Sequence, residues 1–154
     1  MVRHRELLVV IADGEHARFV KLGKKGVLET NAEMNSDWAH RRSSDIGSDH
    51  PGAAFHSGST AHHAMAPRHD PHELEMAAFA RQVAEEVNRR AAEHQFSELL
   101  IAAPPRTLDV IVPELGPDAL HRLQDTLQKD LVKVPDHLLG PHLRTWVQTA
   151  SRGS

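Results

Sequence analysis

The chain contains no cysteine, which excludes a disulfide scaffold, a cysteine-rich zinc site and thiol catalysis. It also lacks a long hydrophobic run. The longest, Leu7 to Ala12, falls far short of the roughly 20 residues a membrane span needs and of a signal-peptide core with its cleavage site. A soluble, cytoplasmic protein with no membrane partner is therefore expected. Charge of one sign is missing as well: the formal net charge is −3, so any basic surface for nucleic acid must be local. No Gly-x-x-x-x-Gly-Lys loop, Gly-x-Ser-x-Gly elbow or dinucleotide fingerprint occurs, and no cofactor is expected.

The 154 residues suit one domain, expected over residues 1–148, with 149–154 as a frayed tail. Apolar residues make up only 40%. The shortfall is concentrated in 36–71, a stretch crowded with histidine, glycine, serine and arginine. A structureless loop of that length inside a small domain is usually functional or disordered.

The segments around this loop carry clear periodicities. Leu7 to Ala12 is a continuous β-branched run that predicts a strand buried on both faces, followed by an Asp13-Gly14 turn. His16 to Leu22 alternates, with Ala17 and Phe19 opposed to Arg18, Val20 and Leu22, and Val27 to Met34 follows as a third, more polar strand. That polar edge serves equally to pair with another copy or to prevent pairing, leaving the oligomeric state open. Met76, Ala80, Val83, Val87 and Ala91 predict one long helix face over Glu73 to Glu93, with Glu85–Arg89 and Glu86–Arg90 as supporting pairs. Leu99 to Ala103 is a strand closed by Pro104-Pro105. Beyond it come a helix capped by Thr107 and running to Leu115, a short helix from Gly116-Pro117 to about Gln124, a strand from Thr126 to Val132, and a last helix carrying Leu139, Leu143 and Trp146. The expected fold is α/β: a mixed five-stranded sheet with packed helices.

Several groups of residues invite chemistry. Seven histidines, His40, His50, His56, His62, His63, His69 and His72, lie in the loop or at its exit, and imidazole is the commonest metal ligand. A metal-assisted hydrolase would draw on His62, His63, His69 and His72 with Glu73 as base. Against this, His62 and His63 are adjacent and point apart in an extended chain, and no His-Glu-x-x-His pair is present. His72-Glu73 is also simply a helix start capped by Asp70. Arg41, Arg42 and Arg68, with Trp38 and Phe55 nearby, suit contact with RNA phosphates and stacking on bases; Asp37, Asp45, Asp49 and Asp70 almost cancel their charge. Pro104-Pro105-Arg106-Thr107 stands where a strand hands over to a helix, the place where ligands of open α/β sheets gather.

VVIADGEHARFV near the start, HPGAAF in the loop, DPHELEMAAFARQVAEEVNR on the long helix, LLIAAPPRTLD after it and KDLVKVP near the end together resemble the bacterial host attachment protein family. The matches run in order over nearly the whole chain. The family is named for a proposed role in attachment to host cells and looks like a bacterial branch of the archaeo-eukaryotic peptide release factor superfamily. The resemblance implies the release factor middle-domain fold, related to ribonuclease H and to ribosomal proteins of the L18/S11 type, with strand order 3-2-1-4-5. In release factors the loop before the long helix carries a Gly-Gly-Gln motif that promotes peptidyl-tRNA hydrolysis on the ribosome. Here the corresponding stretch from Gly52 to Thr60 has no glutamine; only Gly58 sits at a motif position, and Ser59 stands where a second glycine belongs. The resemblance thus implies a module that binds the ribosome or structured RNA, non-enzymatic or vestigially catalytic, with Arg41, Arg42, His56, Gly58, Arg68 and Arg106 as contacts. The family name points instead to an interaction factor acting indirectly in attachment.

Overall fold

The computed structural model describes residues 6–23, 26–36 and 71–143. Its centre is β1 (Leu7–Ala12), with all six residues buried, as a run without polar side chains requires. The other strands are β2 (His16–Leu22), β3 (Leu28–Asn35), β4 (Glu98–Ala102) and β5 (Leu123–Leu127), and the sheet order is β3-β2-β1-β4-β5. Pairing is antiparallel for β1–β2 and β2–β3 and parallel for β1–β4 and β4–β5. This is the mixed five-stranded sheet, in the order, that the sequence led us to expect.

The long helix α1 (Pro71–Ala92) provides the crossover between the meander and β4. Pro71 opens it, at a position where its missing N–H costs nothing. Phe79, Val83 and Val87 bury against Leu8, Val10, Phe19 and Ile101 of the sheet. Of the two predicted ion pairs only Glu86–Arg90 forms, at 2.7 Å. Arg89 turns to Glu86 and Glu93 instead of Glu85. Arg89 first, then Arg90, hold the Glu86 carboxyl below the usual carboxylate range against the opposing effect of burial. Arg90 is buried with its guanidinium 4.4 Å from the Phe19 ring centroid, a cation–π contact that clamps the end of α1 to β2.

After β4 come α2 (Pro105–Ile111), a 3₁₀ turn (Val112–Glu114) and α3 (Pro117–Arg122). Asn88 ties them to α1, donating to the Glu114 carbonyl and accepting from the Gly116 N–H at 2.8 Å. Two expectations shift here. Thr107 does not cap α2, since Pro104 holds the N-cap position and Thr107 lies buried inside the first turn. The fifth strand is Leu123–Leu127 rather than Thr126 to Val132, and it follows α3 directly. The reason is the partner strand: β5 hydrogen-bonds β4 as far as Ala103 N to Leu127 O, and Pro104 and Pro105 have no N–H to continue the ladder. A register shift between Leu99 and Leu100 also places Leu123 against the helix-side core and Leu127 against the other, so their four-residue spacing marks neither a helix face nor one strand face.

The opposite face of the sheet, with Leu7, Val9, Ile11, Val20 and Leu100, is covered by Leu131, Leu139 and Leu143 from a largely irregular segment with one 3₁₀ turn (Asp136–Leu138). The expected last helix begins at residues 140–143; Trp146 and the expected tail lie outside the described residues. Arg18 anchors this segment. The guanidinium, on a residue only 9% exposed, donates to the carbonyls of Leu131, Val132 and Val134 and to Thr30 and Asp136. Asp136 in turn accepts from the Thr30 backbone N–H and hydroxyl.

Arg18→Met removes the guanidinium donors of three carbonyls and the cation beside Asp136, leaving Leu131 O its bond from the Val134 N–H and Asp136 its bonds from Thr30, and is expected to cost about 3 kcal/mol in denaturant unfolding. For Asp136, burial pushes the carboxyl up, but the hydrogen bonds from Thr30 and Arg18 outweigh it and leave the pKa below its ordinary value. A depressed folded-state pKa contributes stability that is fully present above the unfolded value of about 3.9 and lost as pH falls through the folded one. The difference in melting temperature between the wild type and Asp136→Asn should therefore be widest at neutral pH and close below about pH 4. An unchanged difference down to pH 2 would contradict this account.

Candidate functional site

Because β1 and β4 are parallel neighbours, their carboxyl ends adjoin, and the Asp13-Gly14 turn lies beside Pro104-Pro105. Asp13 Oδ1 accepts from the backbone N–H groups of Glu15 and His16 at 2.8 and 2.7 Å, which fixes this turn as an Asx turn. Ser36, the last described residue after β3, donates its N–H to the Glu15 carbonyl at 2.8 Å. The N-terminus of α1 arrives at the same edge, where His72 and Glu15 line one cavity. Both ends of the stretch between β3 and α1 therefore lie at the carboxyl edge of the sheet.

Two adjoining cavities open there. One, of about 280 Å³, runs between α1 and α2 and is lined by Glu73, Met76, Ala77, Ala80, Arg106, Thr107, Asp109 and Val110. The other, of about 570 Å³, is lined by Asp13, Gly14, Glu15, His72, Met76, Pro104, Pro105, Arg106 and Thr107. Met76, Arg106 and Thr107 border both and make them one cleft. A Cβ at Gly14 would crowd the Met76 side chain, which would have to turn aside.

Among the described residues the cleft is acidic: Glu73 and Asp109 line one part, Asp13 and Glu15 the other, and one guanidinium, Arg106, borders both. Arg106 approaches Glu73 to 3.7 Å with the two side chains 78% and 54% exposed, a pair that contributes little to stability. Thr107 is different: it is only 4% exposed, and its hydroxyl has no hydrogen-bond partner among the described residues. Buried polar groups without partners are rare in folded proteins and carry a desolvation cost.

Of the residues singled out from sequence, His72, Glu73 and Arg106 come together in this cleft. Arg41, Arg42, His56, Gly58 and Arg68 lie outside the described residues, as do His62, His63 and His69. Among the described residues no group of three histidine, aspartate or glutamate side chains is placed to hold a metal ion, and no helix is long and apolar enough to cross a membrane. Sequence reasoning missed Met76, Asp109 and Val110 as cleft residues, reading Met76 only as part of an apolar helix face. The available signal was the pairing of two strand endings, Asp13-Gly14 and Pro104-Pro105, both of which mark carboxyl ends.

A second cavity, of about 370 Å³, lies on the other face around Arg18, Thr30 and Asp136, with His16, Glu33, Asn35 and Lys133 at its border. His16 Nδ1 and Asn35 Oδ1 are 2.7 Å apart across its mouth. The guanidinium donors inside it serve the carbonyls of the C-terminal segment, Asp136 and the Thr30 hydroxyl of β3.

Fold and site define an α/β protein with an open mixed sheet and a ligand-sized cleft at the carboxyl ends of its two central parallel strands. The chain matches the family described as "Protein required for attachment to host cells" over residues 8–143, and it belongs to that family. No curated protein matches it.

Thr107→Val keeps the shape of the side chain and removes the unpaired hydroxyl, and should raise stability by about 1 kcal/mol in denaturant unfolding. A loss of stability would mean that the hydroxyl is satisfied in the folded protein.

Proposed function

We propose that this member of the host attachment family is a ribosome- or structured-RNA-binding module, related to the middle domain of peptide release factors and without release activity of its own. The observation that carries the reading is the position of the stretch between β3 and α1, which leaves and re-enters the domain at the carboxyl edge beside the cleft. Release factors carry Gly-Gly-Gln in the corresponding loop; here Gly58-Ser59 stands in its place with no glutamine from Gly52 to Thr60. The sheet order β3-β2-β1-β4-β5 agrees with the order that relationship implies. Since the cleft is acidic, phosphate contact falls to Arg41, Arg42 and Arg68 on the inserted stretch, with Arg106 at the cleft mouth.

A second reading comes from the family's own description: a protein–protein interaction factor that acts indirectly in attachment. The two separate by nuclease treatment, which abolishes retention on an RNA partner and leaves a protein partner bound.

Co-sedimentation with ribosomes tests the first reading. Binding is expected at low salt and should weaken about a hundredfold between 50 and 200 mM salt if four phosphates are neutralised. A variant lacking residues 52–67 should lose most of it. Absence of sedimentation at low salt overturns the reading, and equal binding by the deletion variant removes the inserted stretch from it.

A further inference from the structure

The cleft between α1 and α2 has three properties that a phosphate contact does not explain. Its described charged lining holds two carboxylates, Glu73 and Asp109, to one guanidinium, Arg106, which approaches Glu73 to 3.7 Å. Its wall is apolar, built from Met76, Ala77, Ala80 and Val110. Thr107, a residue 4% exposed whose hydroxyl has no partner among the described residues, borders both of its parts.

We propose that this cleft receives a single arginine side chain presented by a partner polypeptide. Carboxylates at the rim and an acceptor oxygen within select a cationic donor and repel phosphate. A guanidinium suits them better than an ammonium, because its five N–H donors lie in one plane and can serve a hydroxyl and two carboxylates together, whereas an ammonium is a compact charge with three donors. The three methylenes of an arginine stem have an apolar wall to lie on, as long cationic side chains do on protein surfaces. The inference involves only cleft residues, of which Arg106 alone is also among the proposed RNA contacts.

Titration of the intact protein with the blocked tripeptide acetyl-Gly-Arg-Gly-amide, followed by NMR of the Thr107 and Ala77 methyl groups, tests it. Norleucine and glutamate tripeptides and adenosine monophosphate serve as comparisons. Saturable shifts with the arginine peptide are expected, with affinity at least tenfold above the norleucine peptide and none for the two anions. Thr107→Val, which retains the fold, should weaken arginine binding roughly threefold to tenfold, the worth of one hydrogen bond, and leave the norleucine response unchanged. Glu73→Gln with Asp109→Asn, both exposed, should remove the preference for arginine. No shift at millimolar peptide, equal response to norleucine, or preferential binding of adenosine monophosphate overturns the proposal. Ribosome co-sedimentation of the same double variant should be unaltered, so failure here and failure of RNA binding are read separately.

Discussion

Two successive prolines after β4 set limits that much of the molecule follows. Pro104 and Pro105 have no N–H to give, so the parallel ladder ends with the bond from Ala103 to Leu127, and β5 stops with it. The same residues begin α2, with Pro104 at its N-cap position and Pro105 as its first residue. That start places Arg106 at the mouth of the cleft and turns Thr107 into the protein. The sheet's length, the position of α2 and the shape of the cleft thus share one cause, the loss of backbone donors at one point in the chain.

The two faces of the sheet are closed by different physics. On one, α1 and the short helices bury a continuous apolar layer, with Arg90 over Phe19 as the main polar addition. On the other, a segment with little regular structure must satisfy its carbonyls without helix or strand partners. Arg18 supplies the donors, reaching three carbonyls separated from it by more than a hundred residues of chain. One guanidinium thereby replaces the hydrogen bonding that secondary structure would provide.

The cleft opens at the carboxyl edge, where parallel strands end together and both ends of the stretch between β3 and α1 lie. Its described chemistry is acidic and partly apolar, with a buried hydroxyl left without a partner among the described residues.

Much of this fold was legible in the residues themselves. Leu7 to Ala12 admits no polar face, so a doubly buried strand follows from its composition, and the spacing of Met76, Val83 and Val87 defines a helix by its period alone. The strand order also agreed with the family resemblance. The fifth strand was expected too late in the chain, from Thr126 to Val132, because a register shift puts Leu123 and Leu127 on opposite faces of the sheet, and a shift of that kind depends on the partner strand. Thr107 looked like a cap from sequence, since a polar residue near a helix start is equally suited to capping and to burial. Local periodicity, turn chemistry and missing donors are properties of neighbouring residues, so the sequence by itself determined the strands of the meander, the long helix and the point where β4 ends. Which carbonyls Arg18 would serve, and that Glu73, Thr107 and Asp109 would border one cleft, involve residues far apart in the chain. Only tertiary structure decided them, because such contacts exist once the sheet has brought those segments together.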